Sequence, residues 1–282
     1  MNRYWIFSMA FFFTLAFAFA QKAPQLNIEP LNISGFNAQF AGGGEYVVFT
    51  SQNYNGLQFY HFKSKSQEVI TEANGAGYHA RIEKDMVIYQ KDKDAKELVT
   101  FDLSKRKTQV FNFSAVGQKA KPSLVSKNGR AEDPVITATP TSDLRAIKLT
   151  FASGISKLIA PLGTNDYLNV SISPNRQQLL FRVSGVGSYV TDFEGNILND
   201  LGNVEFPKWA GNDKILCTET IDDGYNYIKS EIFLQSIKTG VKRKLTEITD
   251  AIALYPSINE GLDKVVFNTP SGELYLIEIG QL

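Results

Sequence analysis

Apolar and polar residues follow one pattern that recurs six times along this chain. Each copy has a small residue or a proline, a large apolar residue two positions later, a tight polar turn and then an apolar run. The copies begin at Ala38, Ala80, Pro122, Val170, Pro207 and Pro256. The intervals between these starts run from 37 to 49 residues, which is typical of the blades of a β-propeller. A unit of this length cannot bury its own apolar faces, so the copies must stack on one another.

The apolar runs within the copies are typical of β-strands. Residues 46–49, 86–89, 179–181 and 264–267 are rich in β-branched and aromatic side chains, and turn residues bound them. They lack strict alternation, which indicates a sheet covered on both faces. No long stretch after residue 20 shows a helical period. The pattern predicts an all-β fold, a six-bladed β-propeller over residues 36–282.

The sixth copy is one strand short, because the chain ends just after its third strand. Residues 21–35 precede the first copy and have no blade of their own. We expect this segment to supply the missing outer strand and to close the ring, which would remove an exposed sheet edge. A disordered leader is the alternative, since Pro24 and Pro30 lie in the segment, although proline is tolerated on an edge strand.

Residues 1–20 have the pattern of a cleaved signal peptide. Arg3 precedes an apolar run, and Ala18-Phe19-Ala20 is a small-x-small cleavage site, so the mature chain is expected to begin at Gln21. An uncleaved anchor is the alternative. The single cysteine, Cys217, excludes a lipobox, an internal disulfide and a cysteine zinc cluster. These features predict a periplasmic or secreted protein, with cleavage after Ala20 and no lipid anchor.

The charge balance argues against whole classes of partner. The chain carries 29 basic and 29 acidic residues, and loss of Arg3 with the leader leaves a net charge of −1. No global charge therefore points to nucleic acid or to an anionic membrane. No second stretch is long enough to span a bilayer, so stable membrane insertion after cleavage is not expected. We expect a monomer.

The repeats resemble those of the TolB family, also called WD40-like PD40 repeats. The family phrase is roughly Pro-x-Trp-Ser-Pro-Asp-Gly followed by an apolar strand; residues 172–175 and Pro207-Lys208-Trp209 match it best, and residues 192–196 resemble a later turn of the repeat. The resemblance covers about residues 36–282. It implies a periplasmic or secreted propeller that binds peptides or proteins at its funnel mouth. TolB itself has an α/β domain before its propeller, for which residues 21–36 leave no room, so a Tol–Pal role is not implied.

The sequence contains none of the common catalytic motifs considered next. The chain has no Gly-x-Ser-x-Gly elbow, phosphate loop or dinucleotide fingerprint. Its two histidines, His61 and His79, lie in different predicted elements, which excludes a histidine-rich metal site. We expect His61 to be structural, in the third strand of the first copy. His79 lies at a turn into the second copy, and no nucleophile or orienting acid accompanies it.

Loop acids leave one enzyme hypothesis open. Calcium takes several oxygen ligands, and Asp92, Asp94, Asp222 and Asp223 could supply them from separate blades, as in six-bladed calcium-dependent lactonases. No calcium-loop spacing is present, and solvated acidic turns are the alternative. Asp222 and Asp223 lie in the long connection 220–227, which is rich in Asp, Gly and Tyr; long loops on rigid scaffolds often carry binding sites.

A positional pattern suggests what lines the central channel. The residue after each repeat start is polar, and the next residue is large and apolar. The polar set is Gln39, Arg81, Ser123, Ser171, Lys208 and Ser257; the apolar set is Phe40, Ile82, Leu124, Ile172, Trp209 and Ile258. We expect the apolar set to pack between blades. The polar set either surrounds the channel or reflects strand alternation alone.

If the polar set surrounds the channel, Arg81 and Lys208 make one side of the mouth basic. Such a mouth would receive a carboxylate or an acidic peptide segment. His79 and Tyr255, each just before a repeat start, would lie at the rim. The candidate binding residues are therefore His79, Arg81, Lys208, Tyr255 and Gln39.

The sequence predicts a non-catalytic protein- or peptide-binding module of the cell envelope, without a cofactor. The alternative is a calcium-dependent hydrolase or lactonase with its site in the funnel, where Asp222 and Asp223 would contribute to the metal site. A purely structural envelope component, or the sensor part of a larger assembly, is a third possibility. A basic or aromatic channel mouth would favour the binding module, and three or more clustered acids would favour the enzyme.

Overall fold

A computed structural model describes residues 26–78, 80–91, 97–112, 133–246 and 251–280. These residues form six antiparallel sheets, with strands numbered β1 to β23 along the chain. The first sheet contains β2 (Phe36–Ala41), β3 (Tyr46–Thr50), β4 (Leu57–His61) and β5 (Ser66–Thr71). The second contains β6 (Arg81–Glu83), β7 (Met86–Tyr89), β8 (Glu97–Asp102) and β9 (Lys107–Asn112). The predicted signal peptide lies outside the described residues.

The remaining sheets follow in chain order. The third contains β10 (Val135–Pro140), β11 (Ile147–Phe151) and β12 (Ser156–Ile159). The fourth contains β13 (Tyr167–Ile172), β14 (Leu179–Val183), β15 (Gly187–Thr191) and β16 (Ile197–Gly202). The fifth contains β17 (Glu205–Ala210), β18 (Lys214–Asp222), β19 (Tyr227–Ser236) and β20 (Lys242–Lys244). The sixth combines β21 (Leu254–Ile258), β22 (Lys264–Asn268), β23 (Glu273–Glu278) and β1 (Asn27–Ser34). Two short 3₁₀ turns, Gly42–Gly44 and Gln52–Tyr54, complete the described elements.

The sheets are the six blades of a β-propeller, and the all-β prediction is confirmed. The blades run from an innermost to an outermost strand in chain order, except that β1 is the outermost strand of the sixth blade. The innermost strands of neighbouring blades contact one another around the ring, as β2 does with β21 and β6. Each innermost strand therefore lies beside the central channel, as the repeat predicts.

The third blade shows only its second, third and fourth strands. The backbone N–H of Tyr167, where the fourth blade begins, donates to the carbonyl of Leu144 at 2.8 Å. The connection from β10 to β11 therefore lies on the face where innermost strands begin. The same kind of connection joins second and third strands in the other blades, so β10 is a second strand. Ser123 and Leu124 of the predicted repeat lie in residues 113–132, outside the described part of the chain.

The N-terminal strand closes the ring. β1 pairs antiparallel with β23, with Asn27 opposite Glu278 and Ile28 opposite Ile277, and takes the outermost place in the sixth blade. Side chains of this segment reach the cores on either side of the blade, Ile28 in one cluster and Leu31 in another. The predicted closure by an N-terminal strand is confirmed, and its cause is the fourth strand that the sixth copy lacks.

Apolar side chains fill the spaces between blades. Phe49, Phe181 and Phe267 are at most 1% exposed, and burial of a side chain of this kind stabilises the fold by about 1.5–3 kcal/mol.

His61 has a structural environment, as expected. Its ring stacks on Tyr46 at 4.8 Å, and its Nδ1 is 2.7 Å from the Ser64 hydroxyl.

The two faces of the ring differ in their connections. On the upper face, where innermost strands begin, lie the connections between blades and those between second and third strands. The Gly77 N–H donates to the Tyr54 carbonyl across two such connections. The lower face carries the tight turns, such as residues 42–45 and 259–263. Thus the longer connections of the described chain lie on the upper face.

Candidate functional site

The polar positions of the repeat occupy equivalent places in the blades. They pair with the neighbouring second strand as Gln39–Val48, Arg81–Ile88, Ser171–Leu180, Lys208–Leu216 and Ser257–Val266. The apolar residues that follow are partly buried against clusters of core side chains: Phe40, Ile82, Ile172, Trp209 and Ile258. The repeat alignment made from the sequence therefore matches the strand register at these five blades.

These equivalent positions differ in exposure. Ser257 is buried, Gln39 and Lys208 are half-buried, and Arg81 is exposed. Arg81 makes no ion pair with any residue that the structure describes. His79, the remaining candidate beside them, lies outside the described residues.

Lys208 carries an unpaired charge beside the channel. Within the described chain its ammonium has neither a carboxylate partner nor a hydrogen bond, and desolvation lowers its pKa from 10.5 to about 8. The side chain keeps some accessible surface although protein surrounds it, a combination that a narrow channel produces. A bound anion would stabilise the charged form of such an enclosed ammonium.

Four innermost strands contain a bulge near their upper ends. The extra residue in each has a positive φ: 52° at Asn37, 53° at Asn169, 49° at Phe206 and 51° at Tyr255. Bulges redirect side chains and are frequent beside binding and active sites. In aromatic residues a positive φ is an outlier that indicates strain. The bulges of β17 and β21 thus place the aromatic rings of Phe206 and Tyr255 at the upper end of the channel, which we call the upper mouth.

Five aromatic side chains form what we call the aromatic rim: Tyr54, Tyr78, Phe206, Tyr227 and Tyr255. The rings of Phe206 and Tyr255 lie 4.3 Å apart, and those of Tyr54 and Tyr78 meet edge to face at 5.4 Å. Burial raises the pKa of Tyr255, and nearby Tyr54 and Glu205 raise it further. Both aromatic pairs lie on the upper face, where innermost strands and the longer connections begin.

An ion pair lies beside the rim. Arg182 Nη2 is 2.7 Å from Glu205 Oε1, and the Tyr227 hydroxyl donates to Glu205 Oε2 at 3.4 Å. Burial, followed by the charge of Glu205, raises the pKa of Tyr227 to about 12. Tyr227 therefore remains a neutral hydrogen-bond donor at physiological pH. Arg182 Nε is buried and has no hydrogen-bond partner among the residues that the structure describes.

The loop acids Asp222 and Asp223 are engaged by their own turn. Asp222 Oδ1 accepts the Gly224 N–H at 2.9 Å, and Asp223 Oδ1 accepts the N–H groups of Tyr225 and Asn226. These backbone bonds lower the pKa of Asp223. Among the described residues no three His, Cys, Asp or Glu side chains are grouped to hold a metal ion. Asp92 and Asp94 lie outside the described part.

The sequence identified one member of the rim, Tyr255, and missed four. Phe206 directly precedes Pro207, just as Tyr255 directly precedes Pro256. The repeat alignment could therefore have identified Phe206 as well. Tyr54 and Tyr78 come from loops and Tyr227 from an extended strand, where no period marks them.

Within the described chain no helix is long and apolar enough to cross a membrane.

Comparisons with known proteins find a similar architecture. The β-propeller domain of Myceliophteria thermophila Cps50 (Swd1) is 7% identical over 90% of this chain and 99% of its own, with a TM-score of 0.45. A chain of a mitotic checkpoint complex is 9% identical over 100% of this chain and 99% of its own, with a TM-score of 0.44. Similarity at this level carries no argument about function.

No family model matches this chain. No curated protein matches it either.

Proposed function

We propose that this protein is an exported TolB-like propeller that binds a protein or peptide of the cell envelope without catalysis. The observation that carries the proposal is the convergence of the aromatic rim on the upper channel mouth, with the unpaired Lys208 beside the channel. Aromatic side chains are enriched where proteins bind proteins. The repeats that resemble the TolB family and the signal-peptide pattern support export to the periplasm or beyond.

The chemistry of the mouth indicates what part of a partner it receives. A carboxylate that enters the channel would pair with the Lys208 ammonium. This ammonium is already desolvated in the folded protein, so binding does not have to remove its water. Phe206 and Tyr255 would pack on the apolar part of the same segment. The Tyr227 hydroxyl and the Arg182–Glu205 pair offer polar groups beside them. The ligand is therefore an extended segment with an acidic side chain or a C-terminal carboxylate.

Peptide selection tests this proposal. Twelve-residue peptides selected on the mature protein from a random display library should be enriched in acidic residues or should require a free C-terminus. Lys208→Met should weaken binding of the tightest selected peptide at least tenfold, because it removes the cation. Ser171→Ala changes the equivalent position of the fourth blade and should leave the affinity within twofold. Selection of no peptide, or equal binding by Lys208→Met and the wild type, would refute the proposal.

A further inference from the structure

The second and third strands of the fifth blade rise above the rest of the blade. β17 pairs with β18 only as far as Thr218, opposite Glu205. β18 continues to Asp222 and remains paired with β19 as far as Tyr227. Residues 219–229 therefore form a two-stranded ribbon on the upper face, which we call the upper hairpin. A ribbon of two strands is only marginally stable without further contacts.

The inner edge of the upper hairpin is open. Successive residues of an antiparallel strand direct their backbone groups to opposite edges. The Asp213 carbonyl accepts the Ile237 N–H at 2.9 Å, so odd-numbered residues of β18 face β19. Thr220 therefore directs its N–H and carbonyl to the inner edge, and no described strand pairs with that edge beyond Thr218.

The outer edge of β19 is occupied just below the upper hairpin. The Ser230 carbonyl accepts the Ala253 N–H at 3.4 Å, and the Ile232 carbonyl accepts the Leu245 N–H at 2.8 Å. Within the upper hairpin no described strand pairs with either edge, and unpaired backbone groups on a strand edge are a template for another strand. Of the two edges, the inner one continues the line of β17 toward Lys208 and offers Thr220 to a new partner.

The side chains of the hairpin are also suited to a partner. Ile221 is 57% exposed, Ile228 is 60% exposed and Tyr225 at the tip is 95% exposed. By strand alternation Ile221 shares a face with Cys217, and Ile228 lies at the bulge between the pairs Ile221–Lys229 and Asp222–Tyr227. Beside the turn, the hydroxyl of the rim residue Tyr227 donates to Glu205 at the start of β17, which ties the hairpin to the innermost strand. The hairpin thus extends the binding surface upward from the mouth.

We infer that a partner polypeptide adds an extended strand to the inner edge of the upper hairpin, in the mode of β-strand addition. The added strand lies above β17 and continues its line, antiparallel to β18, so its C-terminal end points into the channel. Thr220 and Leu216, which pairs with Lys208, are four residues apart on β18, or about 13 Å. Four or five extended residues of the partner span this distance. The inference rests on the proposed function, since it assigns a backbone mode to the same mouth.

A proline substitution tests the strand addition. Thr220→Pro removes the N–H that faces the inner edge and leaves the bonds between β18 and β19 in place. Thr220→Val keeps that N–H and is the matched control. The probe is the tightest twelve-residue peptide selected on the wild-type protein. We expect its Kd to rise at least tenfold in Thr220→Pro and to stay within twofold in Thr220→Val.

A second measurement does not depend on the folding of the proline variant. Amide hydrogen exchange of wild-type Thr220 should slow at least tenfold when the peptide binds, because its N–H becomes paired. Unchanged exchange at Thr220 would overturn strand addition. If Lys208→Met weakens binding while Thr220→Pro does not, the channel mouth remains a binding site and the added strand is refuted. If neither variant weakens binding, the proposed function fails as well.

Discussion

Three residues of the aromatic rim, Tyr54, Phe206 and Tyr255, have backbone conformations that L-residues rarely adopt, with φ of 59°, 49° and 51°. Such conformations cost about 1–3 kcal/mol each and persist only where the surrounding structure holds them. The bulges of β17 and β21 hold Phe206 and Tyr255. The strained backbone places the two rings 4.3 Å apart at the upper mouth. The same positive φ occurs at Asn37 and Asn169 in the equivalent bulges, so this backbone conformation belongs to the repeat.

The lowered pKa of Lys208 leads to a pH dependence of binding. In the free protein this pKa is about 8, and a bound carboxylate raises it because the pair stabilises the charged form. Binding is therefore strongest below pH 8 and weakens as pH rises above 8, by up to about tenfold per pH unit. Calorimetric titration of the selected peptide between pH 6.5 and 9.5 measures this.

Lys208→Arg is the control for the pH profile. Its guanidinium stays charged throughout the range, so its affinity should vary less with pH than that of the wild type. A wild-type affinity that stays constant between pH 7 and 9.5 would contradict a role for the Lys208 ammonium.

At the residue scale, the sequence predicted which residues occupy equivalent positions in the repeat better than it predicted what those residues do. The strand register confirms the alignment of Gln39, Arg81 and Lys208 as equivalent repeat positions, because alternation and turn spacing are properties of the backbone. Their part in binding stays a prediction. Tyr54 and Tyr78 could not be predicted, since only the folding of two separate loops brings them together.

At the scale of elements, two segments differ in how far the sequence predicted them. The closing strand β1 could be predicted because the sixth copy lacks a strand and residues 21–35 lack a blade. The connection 220–227 was expected to be a long loop, but half of it continues the strands β18 and β19, which leaves a turn of only four residues, 223–226. The β-forming residues Thr220, Ile221, Tyr227 and Ile228 explain the difference. Their pairing across Asp223 and Gly224 depends on register, which composition does not reveal.

Removal of the closing strand tests its role in the fold. A mature chain without residues 21–34 should lose several kcal/mol of unfolding free energy, because Ile28 and Leu31 leave the cores that they cover and β23 becomes an exposed edge. Urea unfolding followed by tryptophan fluorescence measures this loss. A synthetic peptide of residues 25–35 should restore stability in a saturable way. A truncated protein as stable as the full mature chain would show that β1 does not close the ring.

At the scale of the whole molecule, the two faces of the ring differ in what they carry. Five clusters of buried side chains hold the blades together, and the lower face consists largely of tight turns. The upper face carries the aromatic rim, the Arg182–Glu205 pair and the upper hairpin. Repeat spacing predicted the architecture because stacking is required of any unit of this length. It could not predict the function, because propellers of one architecture serve many functions.

Site-specific photo-cross-linking in cells tests the central claim most directly, namely that the upper mouth binds an envelope protein or peptide. A photoreactive phenylalanine analogue would replace Tyr255 in the rim or Leu158, which is 61% exposed on an outer strand. The account predicts a discrete adduct from position 255 that disappears when Lys208→Met is combined with it, and none from position 158. Adducts from position 158 alone, or the same adduct from both positions, would contradict the account.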